Sequence, residues 1–224
     1  MVVARDSHSI KTEVTSSWGT CCCGALHTVA ATEPAVCIAL VPADNLSNAT
    51  RTLDTTAITF RTATLPDAGK IWQLVGKSGV LDENSRYCYL LLCRDFSETC
   101  VVACREDEIV GFVTAYRPPT RCDTVFVWQI GVAEQVRGQG VAKCLLHTLV
   151  SLPACREVRF LEATVTPSNV ASRRLFESFA ESLGLPCLME QEFTPELFGD
   201  GGHEEEDLFR IGPFPVSPME KKST

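Results

Sequence analysis

No Cys-x-x-Cys pair occurs anywhere in the 224 residues, although the chain carries 12 cysteines. Structural zinc sites draw on such pairs or on cysteines with histidine at ligand spacing. Neither Cys88 with Cys93 nor Cys100 with Cys104 has a histidine so placed, and no metal is expected. The thiols read as small buried hydrophobes kept reduced, which favours a reducing compartment. No apolar run approaches the roughly 18 residues of a membrane span, so a soluble chain is expected. A basic n-region followed by a continuous apolar stretch is missing too, which argues against a secretory signal. Excess basic charge is also missing: the formal net charge is -8, a field that repels phosphate backbones and anionic headgroups. Neither nucleic acid nor membrane is expected as a partner.

What is present suits one globular domain. The chain is 45% hydrophobic, enough for a core of about 150 to 170 residues plus tails. Residues 1–55 are rich in Ser, Thr and Ala, contain two arginines and show no periodicity of useful length. They read as a disordered extension, with organellar targeting left open. The domain is expected over residues 56–214, and 215–224 as a flexible tail.

Ile58-Thr59-Phe60-Arg61 alternates as a strand, and Pro66-Asp67 opens a helix with Ile71, Trp72 and Val75 on one side. Residues 79–84 form a loop, and Ser85 is placed to cap a second helix, Arg86 to Arg94. Thr99 to Arg105 and Ile109 to Arg117 are β-rich runs joined by Glu106-Asp107-Glu108, hence a hairpin, and Pro118-Pro119 stops the second. Val125 to Val132 is a near-continuous apolar strand, which predicts burial on both faces. Ala142, Leu145, Leu146 and Leu149 then recur at helical spacing. Val158 to Thr166 is a further strand, Asn169 to Leu183 an amphipathic helix with Leu175, Phe176, Phe179 and Leu183 inward, and Asp207 to Ile211 the last strand. This order requires a mixed α/β (α+β) sheet flanked by helices.

The stretch from Val132 to Ala142, Val-Ala-Glu-Gln-Val-Arg-Gly-Gln-Gly-Val-Ala, lies between a strand and a helix. Gly138 and Gly140 clear side chains from a place where backbone N–H groups and the positive helix end converge, which suits a pyrophosphate, with Arg137 at the rim. A plain strand-to-helix turn is the alternative from the residues alone. The spacing is not that of a dinucleotide-binding G-x-G-x-x-G, and no Gly-Lys-Ser/Thr is present.

The segment from Gln135 to Gly140 resembles the acyl-CoA motif of the GNAT acetyltransferases, Gln/Arg-x-x-Gly-x-Gly/Ala, in its strand-loop-helix setting. Asn169, Ser172, Leu175 and Phe176 resemble a second signature of the family. Many relatives carry Tyr where this chain has Phe176, and that Tyr is taken as the acid for the departing thiolate. Longer blocks, Leu81–Ser85 with Tyr87–Cys93, Ile109–Val113 with Tyr116–Pro119, Leu161–Asn169 and His203–Glu206, are similar to the L-2,4-diaminobutyrate acetyltransferases of ectoine biosynthesis. That likeness runs from about Thr59 to Phe214 and leaves residues 1–55 without a counterpart.

The resemblance implies a GNAT fold with a largely antiparallel sheet, and acetyl-CoA as co-substrate. It further implies L-2,4-diaminobutyrate as acceptor, a homodimer and a cytoplasmic enzyme of salt-stressed cells. It places the coenzyme on Ile130, Val132, Gln135, Val136, Arg137, Gly138, Gln139, Gly140, Val141, Ala142 and Asn169. For the acceptor it points to Asp82, Tyr87, Trp128, Asn169, His203 and Glu206, with Glu162, Trp128 and Asn169 as candidate catalytic residues. A GNAT enzyme for another small cationic amine, and a non-catalytic acetyl-CoA sensor, are the alternatives.

Elementary chemistry gives several of these residues a second reading. Diaminobutyrate carries two ammonium groups and a carboxylate, so a site needs carboxylates or an aromatic face for the former and a donor, Asn169 or Arg117, for the latter. By the period of two, Trp128 shares a strand face with Phe126, Ile130 and Val132, as core or as pocket wall. Asp82 is a turn residue or a substrate ligand; residues 203–207 are a solvated loop or an acidic patch. Glu162, inside an apolar strand, must find a partner and is an ion-pair member or a base. The expected chemistry is direct attack of the amine on the thioester, with backbone N–H groups near Gly131 and Val132 polarising the carbonyl. A covalent acetyl-cysteine is not required, since Cys144 and Cys155 lack a nearby base in the sequence.

Overall fold

A computed structural model describes residues 57–78, 81, 84–199 and 202–215. The expectations for residues 1–55, for Asp82 and for most of the tail fall outside these residues.

Strand β1 (Ile58–Thr62) leads through a single 3₁₀ turn into helix α1 (Ala68–Ser78). Pro66 and Asp67 initiate the turn as anticipated, because the Asp67 carboxylate accepts the Thr64 N–H at 2.8 Å. Arg61 grips the same carboxylate at 2.6 and 2.9 Å, tying helix to strand. Ile71 and Val75 are buried, and Trp72 packs beside them under the Arg86 guanidinium. Helix α2 (Arg86–Asp95) starts at Ser85, whose hydroxyl accepts the Cys88 N–H at 3.3 Å.

β2 (Val101–Arg105) and β3 (Glu108–Tyr116) form the expected hairpin, with Glu106-Asp107 as a two-residue turn and Glu106 at φ 53°. Then follow β4 (Thr124–Val132), α3 (Val141–Ser151), β5 (Phe160–Val165), α4 (Val170–Leu183), β6 (Cys187–Phe193) and β7 (Glu206–Ile211). The sheet runs β1-β2-β3-β4-β5-β7-β6 and is antiparallel except between β4 and β5. One face of the sheet packs against α3 and α4 through residues such as Val113, Val127, Leu145 and Phe179. α1 and α2 cover the other face over Val102, Ile109 and Phe112.

Two expectations are corrected. Strand β6 was not anticipated: its side chains from Leu188 to Phe193 are exposed, so no apolar alternation marks this edge strand. The second correction concerns β4. Thr114 opposes Gln129 but Ala115 opposes Val127, so Trp128 is an extra residue, a β-bulge. The bulge breaks the period of two and puts Phe126 and Ile130 on opposite faces. The strand is not buried on both faces either: Trp128 is 44% exposed, and Gln129 to Val132 are only half-buried.

The same strand opens the sheet. β4 pairs with β5 only from Thr124 to Phe126, and beyond that point the parallel strands splay into a cleft.

Candidate active site

The strand end sets which backbone groups reach the splay. Ala133 donates its N–H to the Val110 carbonyl at 2.8 Å, toward β3. Alternation along the strand then turns the N–H groups of Ile130 and Val132 to the opposite edge, the one β5 has left. This sharpens the expectation near Gly131 and Val132, since the Gly131 N–H faces β3.

Beyond the strand the chain makes one 3₁₀ turn, Glu134–Val136, and enters α3 through Gly138 at φ 75° and Gly140 at φ 77°. An added Cβ at either glycine would meet nothing within 4 Å, so the requirement is the left-handed backbone and not lack of room. The Gln139 side chain donates to the Gln135 carbonyl at 3.0 Å and closes the loop. The first intrahelical bond runs from the Cys144 N–H to the Gly140 carbonyl at 3.0 Å. The N–H groups of Val141, Ala142 and Lys143 precede it, outside the helical ladder at its positive end, an arrangement that could hold an anion such as a diphosphate.

Two loop residues play a different part from a direct ligand. Val136 and Val141 are buried in the core beside Leu145. Their side chains anchor the loop, and only their backbone can meet a ligand. Arg137 and Gln135 also face a second concavity of about 800 Å³ between the loop and α1, where Lys70, Lys77 and Arg105 alternate with acidic side chains of the β2–β3 turn.

The cleft between β4 and β5 has a volume of about 940 Å³. Val127, Trp128, Gln129 and Ile130 line one wall, Ala163 to Thr166 the other, and Asn169, Ser172 and Phe176 the α4 end. The bulge is what turns the Trp128 ring into this space. Beside it Tyr89, fully buried, donates its hydroxyl to Gln129 Oε1 at 2.7 Å. Burial pushes the Tyr89 phenol up, so it stays a donor. Asn169 caps α4, its Oδ1 accepting the Ser172 N–H at 3.1 Å.

His203, from the chain between β6 and β7, and Glu206, the first residue of β7, reach the cleft. The Glu204 carboxylate accepts the Ser168 N–H at 3.1 Å and ties this segment to the turn between β5 and α4. Phe198 stacks on the His203 ring at 3.9 Å, and Phe193, Tyr116 and Phe126 add aromatic surface. None of these aromatics was singled out from the sequence for the site. Their spacing carries no signal, because they come from three strands and a turn.

Other candidates lie elsewhere. Tyr87 is 65% exposed on α2 and does not line the cleft. Arg117 donates to the carbonyls of Cys122 at 3.1 Å and Ala154 at 3.2 Å, so its guanidinium braces a loop and does not await a carboxylate. Glu162 is 1% exposed, and its oxygens accept from Arg121 at 3.0 Å and from Arg210. Of its two readings the geometry takes the ion pair: Glu162 is not among the residues that line the cleft, and both oxygens are engaged.

Among the described residues no group of His, Cys, Asp and Glu could hold a metal ion, and no helix is long and apolar enough to cross a membrane. Cys88, Cys93, Cys100, Cys104, Cys122, Cys155 and Cys187 are free thiols. Burial pushes Cys100 up to about 12 and Cys155 up to about 11, so these two are poor nucleophiles.

Comparison with known proteins decides the family. Residues 68–180, from α1 into α4, match the sequence model of the acetyltransferase (GNAT) family. The chain belongs to the GNAT acetyltransferases. This GNAT enzyme is 49% identical over 158 residues to the L-2,4-diaminobutyric acid acetyltransferase of Marinococcus halophilus, covering 70% of this chain and 91% of that one. It is 48% identical over 163 residues to the protein of that name from Halalkalibacterium halodurans, covering 73% and 85%. Among solved structures it is similar to the diaminobutyrate acetyltransferase of Paenibacillus lautus, at a TM-score of 0.69 and 45% identity, covering 72% of this chain and 98% of that one. That protein was solved with its substrate L-2,4-diaminobutyric acid and coenzyme A. The co-substrate of this GNAT enzyme is acetyl-CoA, and the Gln135–Gly140 loop with the start of α3 lies within the residues that the family model matches.

Proposed function

We propose that this enzyme transfers acetyl from acetyl-CoA to the γ-amine of L-2,4-diaminobutyrate, a step of ectoine synthesis that serves osmoprotection. The observation that carries this reading is the cleft that opens where β4 and β5 part beyond Phe126, lined by Trp128, His203 and Glu206. An aromatic face and a carboxylate suit a dication. The Paenibacillus lautus relative, crystallised with that diamine, supports the choice. Asp82 takes one ammonium in this reading, and the Asn169 side-chain amide faces the substrate carboxylate.

The donor diphosphate sits on the N–H groups of Gly138 to Ala142, with Arg137 at the rim. The thioester lies in the splay, its carbonyl oxygen toward the N–H groups of Ile130 and Val132, which stabilise the charge that builds on it. The amine attacks the carbonyl carbon directly, and holding both reactants in one cleft supplies much of the acceleration. Residues 56–214 form the catalytic domain. The enzyme works in the cytoplasm as a homodimer, and the exposed Leu188 and Met189 on edge strand β6 support the self-association.

The test is thiol release by the purified full chain with acetyl-CoA and a panel of amines. Release with diaminobutyrate well above that with lysine or spermidine is expected. Release with spermidine or lysine alone would overturn the substrate, and release with none would make the protein an acetyl-CoA sensor.

A further inference from the structure

The acceptor amine arrives as an ammonium, with an unperturbed pKa near 10 by analogy with lysine, and must lose a proton to attack. His203 has the geometry to take it. Its ring lies on Phe198 with centroids 3.9 Å apart and planes 18° from parallel, which holds the ring in one orientation. Nδ1 stands 2.6 Å from the Glu204 carbonyl oxygen. A carbonyl oxygen only accepts, so Nδ1 carries the hydrogen, and in the neutral ring Nε2 is left with a lone pair. Nε2 is 3.9 Å from Glu206 Oε1, too far for a hydrogen bond to occupy it but close enough for the carboxylate to stabilise an imidazolium.

Among the described residues, the competing carboxylates are committed. Glu162 is held by Arg121 and Arg210, Glu204 accepts the Ser168 N–H, Glu205 accepts the Gln191 amide at 2.6 Å, and Asp207 pairs with Arg173 at 2.7 Å. Among the described residues, Glu206 and His203 are the carboxylate and the imidazole that line the cleft.

The geometry points to His203 as the general base of the transfer, with Phe198 and the Glu204 carbonyl as its positioning groups. In the step, Nε2 first takes one proton from the ammonium and passes it to water; the freed lone pair then forms the N–C bond, and the second N–H proton passes to the regenerated Nε2. The C–S bond breaks with its electron pair on the coenzyme A sulfur, and the imidazolium, beside Glu206, releases its proton to water. The inference rests on the acetyl-transfer reading above and is independent of which diamine is the acceptor.

The test compares the full chain with His203→Gln, which keeps a hydrogen-bonding tip, and with His203→Ala. For His203→Gln, kcat is expected to fall about 100-fold or more with little change in KM, the scale of general-base catalysis. Added imidazole should restore part of the His203→Ala rate, and the low-pH limb of the kcat profile should change shape. Acetyl-CoA affinity by calorimetry should be unchanged, showing both variants folded. A raised KM at wild-type kcat would make His203 a binding residue and overturn the proposal. So would a kcat loss with no imidazole rescue and an unaltered low-pH limb. If the wild type ignores diaminobutyrate but acetylates another diamine, the substrate assignment alone fails, and the His203 comparison is made on that diamine.

Discussion

Arg210 on β7 donates to Glu162 on β5, its directly opposed neighbour in the sheet, and Arg121 closes the other side of the carboxylate at 3.0 Å. A carboxylate 1% exposed in an apolar strand persists because two guanidinium groups replace its water. Glu162→Gln should therefore cost about 2 kcal/mol of stability, since both arginines are partly exposed and recover some hydration. A urea melt measures this. Turnover should stay within a few-fold of wild type; a hundredfold loss at unchanged stability would return Glu162 to the role of base.

Asp67 governs acid stability. Burial pushes its carboxyl up, but the hydrogen bonds from Arg61 and Thr64 outweigh this and hold it at about 2. In the unfolded chain an Asp titrates near 4, so the folded-state pKa is the depressed one. The contribution, about 2 kcal/mol, is present above pH 4 and disappears as the pH falls from about 4 through 2. Denaturant melts of wild type and Asp67→Asn should differ at pH 7 and converge near pH 2. A constant gap across that range would show that the ion pair is not what Asp67 contributes.

Gly138 tests the donor loop. Its φ of 75° is strained for any side chain, although a Cβ there would meet no neighbour. Gly138→Ala should cost about 1 kcal/mol of stability through the backbone. Gly138→Asp adds a negative charge facing the diphosphate and should weaken acetyl-CoA binding at least tenfold, the equivalent of about 1.4 kcal/mol. Calorimetric affinity equal to wild type would move the diphosphate elsewhere.

Trp128 separates a pocket wall from a core residue. A core tryptophan truncated to alanine costs about 3–5 kcal/mol of stability. Trp128, 44% exposed at the bulge, should lose little. Its loss should instead raise KM for a cationic amine about tenfold, on the scale of a cation–π contact. Trp128→Phe should recover most of that. A large drop in melting temperature with unchanged KM would put Trp128 in the core.

Features confined to short, contiguous segments were legible in the sequence. The Ser85 cap, the hairpin around Glu106 and Asp107, the α4 stripe of Phe176 and Phe179, and the loop from Gln135 to Gly140 each depend on residues a few positions apart. Strand β6 was not legible, because Leu188 to Phe193 alternate in neither burial nor polarity. The face of Trp128 was misread because a bulge depends on the register against β3, which a single strand does not contain.

The sequence by itself determined a mixed sheet flanked by helices and the glycine turn ahead of α3, because propensity, capping and glycine backbone freedom act locally, and its resemblance to the GNAT family supplied the rest. Only the tertiary structure decided that Glu162 belongs to Arg121 and Arg210, that Arg117 braces a loop, and that His203 lies stacked on Phe198 in the cleft with Trp128. Those roles depend on where β4 and β5 part and on what neighbouring strands place opposite each residue, and such long-range pairing leaves no trace in local spacing.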